Sequence, residues 1–194
     1  MRFSLCFSRT GLKQIRNILT VLLLLLSVTA AKADDRLCLA EAMYHEARGQ
    51  GTFGMLAVGI VIKNRVKHPK YPDTACGVVR QGRHWKGIPL RHKCQFSYWC
   101  DGQPEVFLDK EEWKDPDRKA WKSAFRIAST LLSTEIYIPG LENATHYHTY
   151  RVNPKWAKSL RLCSRVGAHL FYELRLVHTP WQPKDFQPCR SKVQ

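Results

Sequence analysis

The 194-residue sequence contains no Cys-x-x-Cys pair, no internal repeat and no low-complexity tract. Without closely spaced thiolates, a zinc ribbon or finger has too few ligands in reach. The composition likewise excludes a fibrous protein. Acidic residues are scarce: 16 Asp and Glu stand against 31 Lys and Arg, a formal charge of +15. Such a chain should meet a polyanionic partner, whether nucleic acid, phospholipid head groups or an acidic wall polymer. Charge alone does not choose among them. What is present is the balance of a chain that buries a core, since 44% hydrophobic, 11% aromatic and 24% charged residues exclude a wholly disordered protein.

Long apolar runs are also lacking, with one exception at the start. Arg2, Arg9, Lys13 and Arg16 precede the uncharged residues 17–31, which include Leu22 to Leu26, and Ala31-Lys32-Ala33 follows. A basic start, a short apolar stretch and an Ala-x-Ala site predict a secretory signal peptide, residues 1–33. The apolar stretch falls short of the roughly 18 residues that a spanning helix needs. Membrane contact is therefore expected only through this segment, with residues 34–194 as one secreted or periplasmic domain. That domain keeps 26 basic residues to 16 acidic. Export argues against nucleic acid as the partner.

Cysteine usage agrees with export. Cys6 leaves with the signal, and Cys38, Cys76, Cys94, Cys100, Cys163 and Cys189 remain, an even number suited to three bridges in an oxidising compartment. Many pairings are open. Cys94 with Cys100 closes the smallest loop, Cys163 with Cys189 pins a proline-containing tail, and Cys38 is left with Cys76.

Helical periodicity starts at Asp34 or Asp35, either of which can cap a helix running to about Arg48, where Gly49 and Gly51 stop it. Thr52 can cap a second helix, Phe53 to about Lys67, apolar on every side and so expected in the core. Residues 77–93, rich in glycine and basic side chains, read as an exposed irregular segment, and Arg80 to Lys93 is the expected salt-sensitive contact with an anionic wall. Asp115 opens an amphipathic helix with Trp121, Ala124, Phe125, Ala128, Leu131 and Leu132 along one stripe. Gln95–Trp99, Thr145–Thr149 and His169–Glu173 read as strands of a small antiparallel sheet. The expected class is α+β.

On the first helix, Leu37, Ala40, Met43, Tyr44 and Ala47 share one side, while Leu39 and Ala42 flank Glu46 on the other. A carboxyl in apolar company loses hydration of its charged form, keeps its proton to higher pH and can act as a general acid. Glu41 instead falls near His45 and Arg48, as expected of a surface ion pair.

The run Leu39-Ala40-Glu41-Ala42-Met43-Tyr44-His45-Glu46-Ala47-Arg48-Gly49, followed by Gly54-Met55-Leu56-Ala57-Val58 and Val61-Ile62-Lys63-Asn64-Arg65-Val66, resembles the spore-cortex-lytic cell-wall hydrolase family of the SleB/CwlJ type. Cys76-Gly77-Val78-Val79, Cys94-Gln95-Phe96-Ser97-Tyr98-Trp99-Cys100-Asp101-Gly102, Ala144-Thr145-His146-Tyr147-His148 and Gly167-Ala168-His169-Leu170-Phe171-Tyr172 continue the likeness in order. The resemblance implies a lysozyme-like catalytic domain that cleaves the glycan strands of peptidoglycan, with the glutamate of Glu-Ala-Arg-Gly, here Glu46, as its acid. One departure stands out: the family commonly has a second acidic residue directly after that motif, and this chain has Gln50.

Ordinary glycosidases work with paired carboxylates, and Asp101, Asp109 and Glu111 are the candidates for a second. A lytic transglycosylase, which the resemblance implies, needs one acid and leaves 1,6-anhydromuramyl ends. Tyr44, Gln95, Phe96, Ser97, Tyr98, His146 and Tyr147 are the expected substrate-binding residues, offering hydrogen-bonding tips and flat faces to N-acetyl sugars. No cofactor or metal is expected, and a monomer is. His146, His148 and His169 keep a zinc amidase or peptidase as a rival, and Gln50 keeps a non-catalytic wall-binding protein as another.

Overall fold

A computed structural model describes residues 17, 18, 20, 34–103 and 115–174. The chain divides between Asp34 and Asp35, and the unit Asp35–Gln194 carries the fold. The expected signal peptide lies almost wholly outside the described residues, as do Asp109, Glu111 and Cys189, the expected partner of the buried Cys163.

Helix α1 spans residues 34–47, and a 3-10 turn, Arg48–Gln50, joins it to α2, Gly51–Lys67. The expected glycine break is present: Gly51 takes a φ of +69°, where other residues are strained. α2 is the core helix its composition predicts, burying Met55, Val58, Val61 and Ile62 among others. A Cβ on Gly59 would fall 2.5 Å from Leu131 and 2.6 Å from the Met43 sulfur, so this glycine lets α2 close on two other helices at once. The second of these is α4, Asp115–Ser133, whose stripe buries Trp121, Ala124, Ala128 and Leu131. Leu132, expected on that stripe, is 42% exposed.

α1 is covered on more sides than a single helical wheel shows. Leu39, Ala40, Ala42 and Met43 are all fully buried, and Glu41 is only 7% exposed. The expectation of a surface ion pair at Glu41 is therefore corrected. The short helix α3, Ala75–Val79, is clamped to α1 by the Cys38–Cys76 disulfide and by Asp35, whose Oδ1 accepts the Cys76 N–H at 2.9 Å. A wheel drawn for α1 alone holds no record of such neighbours.

Two strand assignments also change. The segment expected to be irregular forms an antiparallel hairpin, β1 Gly82–Trp85 with β2 Ile88–Cys94. Lys86 and Gly87 both take positive φ, 49° and 81°, the two-residue turn whose twist matches a hairpin. Gly87 thus serves a hairpin turn and not an irregular loop. In turn, Gln95–Trp99 is not a strand: it bends into a 3-10 turn, Ser97–Cys100. The Cys94–Cys100 bridge holds its two Cα atoms 6.1 Å apart, whereas six residues of strand span about 20 Å.

The remaining strands form the sheet β3-β5-β4, all antiparallel, with β3 Ala144–Thr149, β4 Arg161–Val166 and β5 His169–Glu173. β3 and β5 fall where they were expected. β4 was not anticipated, because Arg161 and Arg165 interrupt its apolar pattern as they face solvent at the sheet edge. Helices around a small antiparallel sheet make the fold α+β.

Candidate active site

The site is assembled by three successive residues at the end of α2. Lys63 Nζ donates to the carbonyl of Leu131 at the end of α4. Asn64 Nδ2 donates to the carbonyls of Leu141, at 2.8 Å, and Ala144, at 2.9 Å, fixing the chain as it enters β3. Arg65 Nε donates to Thr145 O at 2.7 Å, one residue further on. Strand β3 is thus docked on α2 through backbone carbonyls, which fixes its register.

That register delivers Tyr147. Its ring packs against Phe171 and His169 of β5, centroids 5.7 and 5.3 Å away, and its hydroxyl donates to Glu46 Oε2 at 3.1 Å. Glu46 lies half-buried near the end of α1. Burial raises its pKa above the ordinary 4.5, and the Tyr147 hydrogen bond and the Arg65 charge pull against that rise without cancelling it. Burial and the neighbouring Glu46 charge hold the Tyr147 hydroxyl well above its ordinary range, so it remains a donor. The phenol fixes one carboxyl oxygen.

Arg65 completes the floor. It is 6% exposed, with its guanidinium 5.4 Å from the Tyr71 ring centroid and 5.6 Å from that of Phe96. Aromatic faces stabilise a cation deprived of water. Tyr98 stacks on His45 with ring centroids 4.3 Å apart and planes 12° apart. Burial, aided by the Arg48 charge and opposed by Asp101, lowers His45 to about 4, so it is neutral at physiological pH. Of these groups, the buried Arg65 is the one whose charge acts on Glu46.

Of the expected substrate-binding residues, the structure brings Phe96, Tyr98 and Tyr147 to Glu46 or to its immediate partners. Gln95 and Ser97 are exposed, alternating with the buried Phe96 and Tyr98. Tyr44 is engaged elsewhere, its hydroxyl donating to Asp117 Oδ1 at 3.0 Å and its ring packed edge-on against Trp121 of α4. His146 lies on the sheet face opposite Tyr147, against Trp156, with Nδ1 3.0 Å from Thr145 Oγ1. Burial and the Arg65 charge lower its pKa to about 4. His148 spends both ring nitrogens on protein partners, Thr149 O at 2.9 Å and the Tyr172 hydroxyl at 2.8 Å.

Gln50 has work where the family commonly has an acid. Its Oε1 accepts the Ala168 N–H at 2.9 Å and sits against Gly167, whose φ is +56° in the β4–β5 turn. Of the candidate second carboxylates, Asp101 uses Oδ1 to accept the Gln103 N–H at 2.7 Å, a local turn. Arg65 was not expected in the site. Its signal was a charged residue on the helix face of Val58 and Val61, both fully buried.

A half-buried carboxyl with a raised pKa and one oxygen held by a phenol has the properties that a general acid requires. The model of the Cell Wall Hydrolase family matches residues 49–172, more than half of the chain, and the chain belongs to that family. The match begins just after Glu46 and includes Arg65, Phe96, Tyr98 and Tyr147. A spore cortex-lytic enzyme of Halalkalibacterium halodurans is 43% identical over 151 residues, 75% of this chain and 37% of the relative. The Bacillus subtilis spore cortex-lytic enzyme is 26% identical over 140 residues, 72% of this chain and 38% of the relative. The chain spans less than two fifths of the length of these two relatives. Among solved structures, the catalytic domain of the germination-specific lytic transglycosylase SleB from Bacillus anthracis is similar with a TM-score of 0.49 and 26% identity, over 72% of this chain and 93% of that one.

Proposed function

We propose that this chain, exported with residues 1–33 removed as a signal peptide, acts in the periplasm or outside the cell. There it cleaves the glycan strands of peptidoglycan as a lytic transglycosylase. The observation that carries the reading is Glu46, a half-buried carboxyl with a raised pKa and one oxygen fixed by Tyr147. Membership of the cell wall hydrolases and the spore cortex-lytic relatives support the same substrate.

Glu46 gives its proton to the glycosidic oxygen as the C1–O bond breaks, which releases the leaving sugar as an alcohol. The carboxylate then takes the proton of the C6 hydroxyl as that oxygen closes on C1. Water is neither consumed nor released, and Glu46 ends protonated. One carboxyl suffices, which suits a chain with Gln50 in place of the second acid. Tyr147 stands at the reacting carboxyl, Phe96 and Tyr98 are buried behind it, and the exposed Gln95 and Ser97 are the residues of that segment left to meet the glycan.

Digestion of purified sacculi tests this. Glu46→Gln keeps shape and hydrogen bonding but cannot move a proton, so soluble products should fall by about 10²–10⁴-fold. Wild-type products should end in anhydromuramic acid, lighter by one water than hydrolase products. Reducing muramic ends as the main product, or full activity in Glu46→Gln, would refute the assignment.

A further inference from the structure

The β1–β2 hairpin has no part in the chemistry above, and its surface combines two properties rarely left in water together. Trp85 is 67% exposed and Ile88 69% exposed. They are paired across the Lys86-Gly87 turn, so both side chains emerge on one face of the tip. Leu90, 38% exposed, follows on the same side of β2. Charge surrounds them. Between Asp73 and Asp101 the sequence has no acidic residue, while Arg80, Arg83, Lys86, Arg91 and Lys93 are basic. Arg83, Lys86 and Lys93 are exposed, and Lys86 occupies the apex of the turn.

The hairpin is held from its base. Gly82 pairs with Cys94, which is bridged to Cys100, and Arg91 Nε donates to Asp101 O at 2.9 Å. These bonds fix the direction of the tip without covering it.

We propose that this tip docks on an anionic lipid bilayer, with Trp85 and Ile88 entering the head-group boundary and Lys86, Arg83 and Lys93 meeting lipid phosphates. A hydrated wall polymer answers the charge but gives Ile88 and Leu90 no means of leaving water. A head-group boundary answers both, since an indole and an aliphatic chain bury there while basic side chains reach the phosphates. This places membrane contact beyond the N-terminal segment, where alone it was expected. It does not depend on the glycan-cleaving reading.

The test uses tryptophan emission from the full chain with vesicles of three parts phosphatidylcholine to one part phosphatidylglycerol, the acyl chains brominated near the head group. Residues 1–33 contain no tryptophan, so the emission comes from the rest of the chain, and the Trp85→Phe comparison separates docking of the tip from tethering by that segment. The brominated chains should quench part of the emission. Trp85→Phe should abolish that part. Lys86→Glu with Lys93→Glu, or vesicles of phosphatidylcholine alone, should reduce it at least about threefold. Quenching that is the same with and without Trp85, or with and without the anionic lipid, overturns the proposal. So does a Trp85 whose emission responds to sacculi and not to vesicles, which makes the hairpin a wall contact. No glycan is present in the vesicle assay, so its failure is separate from any failure of the Glu46 chemistry.

Discussion

Each strand of the β3-β5-β4 sheet brings side chains into the interior, Thr145 on β3, Val166 on β4 and Phe171 on β5, whereas no residue of the β1–β2 hairpin is buried. The larger sheet is ordered by what it covers. The hairpin is ordered by a turn at one end and a disulfide at the other. The hydrogen bond from Tyr147 to Glu46 is set by the first. The exposed Trp85 and Ile88 sit on the second.

The difference can be broken by removing what each region depends on. Phe171 is fully buried beneath Tyr147, so Phe171→Ala should cost about 3–5 kcal/mol in denaturant unfolding and take glycan cleavage with it. A loss below about 1 kcal/mol would mean that the sheet is not held by its core. Cys94→Ser with Cys100→Ser opens a short loop, and chain-entropy arguments give about 2 kcal/mol. Phe96 and Tyr98 lie within that loop, so cleavage should fall further than stability. Equal losses would mean that the bridge does not serve the site. Ile88→Thr on the tip should change stability by no more than about 0.5 kcal/mol. A larger cost would show that the hairpin packs on something within the chain.

The same contrast explains what could be read from the sequence. α2, α4, β3 and β5 bury one face or all faces, and their periodicity announces it. Glu46 stood out for the same reason, as a carboxyl beside Leu39 and Ala42. The β1–β2 hairpin buries nothing, so no periodicity marks it, and the segment from Gln95 was read by its aromatics when the flanking cysteines carried the stronger constraint. Glu41 was misplaced because one helix viewed alone does not reveal that α3 is clamped beside it. Tyr44 shows the same limit, since its hydroxyl belongs to Asp117, 73 positions away. Arg65 was legible and overlooked: a guanidinium on an apolar helix face requires a buried partner, and here it finds Thr145 O and two aromatic rings.

Burial disfavours the charged form of Glu46, and Tyr147 opposes that shift while fixing one oxygen of the carboxyl. Titration of the Glu46 carboxyl by carbon-13 NMR measures it directly. The wild-type midpoint should lie above the ordinary 4.5, because burial outweighs the Tyr147 hydrogen bond and the Arg65 charge. Tyr147→Phe removes a bond that favours the charged form, so the midpoint should rise further. In the proposed reaction the protonated acid acts first, so cleavage should be lost as pH rises through the same midpoint, and that limb should move upward with Tyr147→Phe. A wild-type midpoint at or below 4.5, or one that falls in Tyr147→Phe, would refute the role proposed for Glu46.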